Sequence, residues 1–130
     1  QFIHGGGSAK GRNQKLRPQP QYLKDKCFAV RVEHMPDTSD FEACIQHQIK
    51  AMLEFHPDIL IGRSQGGPTI LQLIQRRIWN GPAILVCPAA VPGIDQFELP
   101  DNAAFTLLFG KFYELDCLFD SSDVILLGFD

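Results

Sequence analysis

Two rhythms of apolar residues alternate along the chain. Short, mostly apolar runs occupy 58–62, 83–87, 104–110 and 123–129, and residues 27–35, which include Arg31, Glu33 and His34, read as a further strand that stops at Pro36. Runs this short, with little polar alternation, predict strands buried on both faces, as in the middle of a parallel sheet. Between them the spacing becomes helical. Phe41, Ile45, Ile49, Met52 and Leu53 recur on one face, behind a Ser39/Glu42 pair with capping-box spacing. This helix is expected to end near Phe55, before Pro57. Ile70, Ile74 and Ile78, with Leu71, mark a second helix from about residue 65. It carries Pro68 in its first turn and Arg76 and Arg77 in its last, and Gly81-Pro82 stops it.

The remaining segments read less regularly. Gln1, Phe2 and Ile3 form the end of a strand that runs into Gly5-Gly6-Gly7. A polar stretch follows, in which Pro18 and Pro20 exclude a long helix. Residues 88–103 are loop-like, with Pro88, Pro92, Gly93 and Pro100, and 111–122 have no clear period. Strands separated by helices imply βαβ units. The expected fold is therefore an α/β domain, a mostly parallel sheet with helices on both faces.

Composition narrows the choice. A chain of 130 residues, 45% hydrophobic and 21% charged, suits a single domain with one core. The net charge of −3 argues against a dedicated nucleic-acid binder. No apolar run approaches the roughly 20 residues of a membrane-spanning helix, and no signal-peptide pattern is present. Cys27, Cys44, Cys87 and Cys117 include no C-x-x-C pair, and three of them lie in apolar segments. They read as buried free thiols of a reducing, cytoplasmic compartment, with two disulfides as the open alternative. No H-E-x-x-H occurs, and Glu33-His34 is a lone pair, so neither a metal nor another cofactor is expected. Trp79 and the phenylalanines are expected in the core. Charge is uneven. Residues 10–26 hold Lys10, Arg12, Lys15, Arg17, Lys24 and Lys26 against Asp25 alone. Such a run reads first as a solvated loop and second as a device for steering an anionic substrate.

The chemistry concentrates at Gly62-Arg63-Ser64-Gln65-Gly66-Gly67, which fits G-x-S-x-G between an apolar strand and an amphipathic helix. A serine on a sharp strand-to-helix turn has a strained backbone and an exposed hydroxyl. Gly62 and Gly66 would give that turn room, because a Cβ there would strike neighbouring backbone. The helix behind Ser64 adds N–H groups and a positive partial charge. A second motif, His4-Gly5-Gly6-Gly7, brings backbone N–H groups within reach of a ligand. It is neither a Walker A loop nor a dinucleotide fingerprint, since both need Gly where Lys10 stands.

With these two motifs in this order, the chain resembles the α/β-hydrolase superfamily. The resemblance implies that Ser64 is the nucleophile and that the N–H of Gln65 and of Gly6 or Gly7 form the oxyanion hole. His4 would hold the glycine loop. The triad acid would be Asp116, with Glu114 and Asp120 as rivals and Asp95 as a third choice; the family's usual acid position, three residues after a strand-end Gly, is Tyr113 here. The implied reaction is hydrolysis of an ester or thioester of a small acyl substrate through a serine acyl-enzyme. Arg63 would hold an anionic substrate group, or pack its stem and point its head to water.

The base is missing from the expected place. His4, His34, His47 and His56 all precede Ser64. Three accounts follow: the base lies beyond residue 130 in a longer protein truncated here at both ends, the domain is an inactive α/β-hydrolase-like binding module, or His34 substitutes. On the first account the 130 residues alone are expected to turn over little substrate. Acyl length and oligomeric state stay open.

Overall fold

A computed structural model describes residues 1–4, 18–33, 35, 39–86, 88–89, 100–101, 105–109 and 125–128. Five strands, β1 (Phe2–Ile3), β2 (Leu60–Arg63), β3 (Ala83–Val86), β4 (Phe105–Phe109) and β5 (Ile125–Gly128), form one sheet in the order β1-β2-β3-β4-β5. Every neighbouring pair is parallel. The helices are α1 (Pro18–Asp25), α2 (Phe41–Phe55) and α3 (Gly66–Gln75). The domain is thus α/β with a parallel sheet, as the apolar runs predict.

The connections reverse once. From β1 the chain goes outward to Val32, which bridges Phe2 in parallel, and then returns across β1 to β2. From β2 it proceeds in one direction through β3, β4 and β5. Right-handed crossovers therefore require α2 and α3 on one face. α2 and α3 do pack together. Cys44, Ile45 and Met52 of α2 meet Ile70, Leu71, Leu73 and Ile74 of α3 over Ile3, Leu60, Ala83 and Leu85 of the sheet. Arg76, at the end of α3, grips both oxygens of Glu42, in the first turn of α2, at 2.8 and 2.7 Å. That fork, with the Gln46 amide, holds the Glu42 carboxyl down to about 2.

Several boundaries differ from expectation. Of residues 27–35, the described ones contribute only the Val32 bridge rather than a strand. The cause is α1, a short helix that tolerates Pro18 and Pro20 in its first turn. It ends in a left-handed residue, Cys27 (φ 64), with Phe28 N–H donating to Leu23 C=O and Cys27 N–H to Lys24 C=O. Cys27 is therefore exposed, not buried, and Phe28 is exposed too; Cys44 is a buried thiol as expected. Cys87 and Cys117 lie outside the described residues. The cap of α2 is Asp40 rather than Ser39, its carboxylate accepting from Ala43 N–H at 2.9 Å, and Glu42 turns to Arg76 instead of back to the cap. A carboxylate serves the positive end of a helix at least as well as a hydroxyl. α3 stops at Gln75 because Arg77 turns left-handed (φ 57), so Ile78 falls outside the helix and is exposed. Leu53 is also exposed, at the edge of the α2 stripe.

Candidate functional site

The site is built where the connections reverse. In open parallel sheets, ligands bind outside the carboxyl ends of the strands at such a point. β2 ends at Arg63, and Ser64 makes the turn into α3 with φ 53. Its main chain is pinned on both sides: Ser64 N–H donates to Val86 C=O at 3.0 Å, and Ser64 C=O accepts from Gly67 N–H and Ala89 N–H, each at 3.0 Å. A non-glycine residue at positive φ costs about 1–3 kcal/mol. Three backbone hydrogen bonds of about 1 kcal/mol each are enough to hold it.

The flanking glycines allow three close approaches. A Cβ on Gly62 would lie 2.5 Å from Gly66 C=O oxygen and 2.7 Å from Ile70 Cδ1, so β2 and α3 meet there without a side chain between them. One on Gly66 would lie 2.0 Å from the Ile3 carbonyl oxygen, and one on Gly67 2.5 Å from Pro88 Cβ. The start of α3 is therefore pressed against the end of β1 and against the segment just after β3. The backbone collision expected at Gly62 and Gly66 is present; the part played by Gly67 with Pro88 and Ala89 is an addition that the sequence does not signal.

Ser64 is half-buried. Gln65 follows as the N-cap of α3 in helical conformation (φ −60, ψ −20), and its C=O accepts from Thr69 Oγ1 at 2.9 Å. Gly67 N–H is taken by Ser64 C=O, and the start of the helix places a positive partial charge beside the serine. Ile3 stands in register with Gly62, so the chain leaves β1 through the buried His4 at the level of this turn. Gly6 and Gly7 lie outside the described residues, as do Asp116, Glu114, Asp120, Asp95 and His34. The described part of the site is thus the serine turn, Gln65, the end of β1 and Pro88-Ala89. Of the other histidines, His56 ends α2 at φ 50, and His47 lies 3.6 Å from Glu33, far along the chain from the turn.

Arg63 is half-buried and in register with Val86. Among the described residues no group of three or more His, Cys, Asp or Glu could hold a metal ion, and no helix is long and apolar enough to cross a membrane. No family model, no curated protein and no solved structure matches the chain.

Proposed function

We propose that the chain is the core of an α/β-hydrolase-like serine hydrolase that cleaves an ester or thioester. Ser64 Oγ attacks the acyl carbonyl and gives its proton to a general base. The carbonyl oxygen becomes an oxyanion, held by the N–H of Gln65 and of Gly6 or Gly7; each such donor is typically worth about 3–4 kcal/mol. The alcohol or thiol leaves with a proton from the base, and water then releases the acid from Ser64 by the reverse sequence. Residues 65–130 contain no histidine, so this reading takes the base from outside them, with Asp116 orienting it.

The observation that carries the reading is the left-handed Ser64 at the strand-to-helix turn, wedged between the ends of β1 and β3. The sheet order supports it as well: the strand that leads into the triple glycine is hydrogen-bonded to the strand that leads into the serine. A second reading is a binding module that keeps the serine turn without turnover; residues 65–130 supply it no histidine base.

A fluorophosphonate probe separates the two. The full-length protein should be labelled, and Ser64→Ala should abolish labelling while the protein stays folded. Folded, unlabelled full-length protein would select the binding module.

A further inference from the structure

Arg63 is the last residue of β2 and directly precedes Ser64. Leu60 and Gly62 are the buried positions of β2, and the space beside Gly62 is filled by Gly66 and Ile70, so this pair faces α3. Strand alternation turns Ile61 and Arg63 to the opposite face. At that level Val86 stands in register on β3, and on β1 His4 follows the Ile3 that partners Gly62. The Arg63 position is therefore at the carboxyl edge of the sheet, at the reversal of the connections, one residue from the nucleophile.

Its surroundings differ from those of the other described arginines. Arg31 is paired with Glu33 and Glu54, and Arg76 with Glu42. Arg77 is exposed, and water solvates it. Arg63 is half-buried yet has neither a hydrogen bond nor an ion pair with any described residue. A guanidinium does not give up its proton, so Arg63 remains a cation that an anionic group can pair. Its fork fits two oxygens of one carboxylate or phosphate.

We propose that Arg63 is the specificity-determining residue of the site and binds an anionic oxygen group, carboxylate or phosphate, on the substrate. The preferred substrates are then esters or thioesters that carry negative charge near the scissile bond. This rests on the serine-hydrolase reading for the reaction, but the anion site itself does not.

The test uses the full-length protein. Hydrolysis of p-nitrophenyl butyrate is compared with that of mono-p-nitrophenyl glutarate, which has a carboxylate at the far end of the acyl chain. A charge-assisted pair should favour the charged ester about 10–100-fold in kcat/KM. Arg63→Gln should collapse this preference towards one, and Arg63→Lys should retain part of it. Calorimetric titration of Ser64→Ala with glutarate, and separately with inorganic phosphate, reads binding without turnover. The tighter of the two identifies the anion, and adding Arg63→Gln should abolish the binding. Equal turnover of both esters, or a preference and binding untouched by Arg63→Gln, overturns the proposal while the hydrolase stands. Arg63-dependent anion binding with no ester hydrolysis sinks the hydrolase and keeps the anion site. No binding of either anion in folded Ser64→Ala overturns the anion site.

Discussion

Gly66→Ala sets two physical effects against each other with opposite signs. Gly66 is the first residue of α3, and alanine is the better helix former by up to about 1 kcal/mol. Propensity alone therefore predicts stabilisation. The packing predicts the reverse. The added methyl would sit 2.0 Å from the Ile3 carbonyl oxygen and 2.8 Å from its carbon. A carbon and a carbonyl oxygen stay about 3.3 Å apart even in a favourable contact, so more than an ångström must open. β1 cannot easily yield, because Gln1 C=O accepts from Ile61 N–H and Phe2 N–H donates to Arg31 C=O, each at 2.9 Å. α3 cannot easily yield either, because Gly67 behind it is against Pro88. Overpacking of this kind costs about 1–3 kcal/mol and more where the backbone is held, so the net loss should be about 2 kcal/mol. Urea unfolding measures it: with a slope of about 1–3 kcal/mol per molar, the midpoint should fall by about 1 M. Gly81→Ala is the comparison, since its methyl would meet the Trp79 side chain at 2.5 Å rather than a hydrogen-bonded backbone, and its loss should be smaller. A Gly66→Ala protein as stable as the parent would refute the close seating of α3 on β1, and with it the placing of Ser64 beside the end of β1.

Two further outcomes follow from the same coordinates. Ser64→Gly should raise the unfolding free energy read from urea by about 0.5–1 kcal/mol after the entropy of the extra glycine, while eliminating labelling, because φ 53 suits glycine and strains serine; a less stable variant would mean that the turn is not strained. The Glu42 carboxyl, lowered from 4.5 to about 2 chiefly by the Arg76 fork, contributes stability while ionised. That contribution is complete above the unfolded value and fades as pH falls from about 4.5 towards 2. Water screens this exposed pair, so it should be worth about 0.5–1 kcal/mol. Unfolding free energies from urea at pH 6 and pH 2.5 should converge by that amount in Glu42→Gln, and an unchanged difference would show that the pair is idle.

What the sequence makes legible here is what glycine and apolar runs mark. β2, β3, β4 and β5 are readable because each is a run too short and too apolar for anything but a buried strand. The serine turn is readable because Gly62 and Gly66 stand on either side of it, and the structure gives each a steric reason. Two of the failures share one cause. α1 and α3 end in left-handed residues that are not glycine, Cys27 and Arg77, so nothing in the residue type announces the stop. The strand expected from 27 and the helix expected past Ile78 both err there. Gln48 is illegible for another reason: a polar residue on the buried side of α2 breaks the pattern, and only the Gln1 amide at 2.7 Å and Met35 Sδ at 3.2 Å make its burial tolerable. Of the four described non-glycine residues at positive φ, three end helices, where such a conformation closes the last hydrogen bonds. Ser64 alone begins one. A helix start does not need a left-handed residue to close its hydrogen bonds, and that asymmetry is the physical observation on which the proposed role of Ser64 rests.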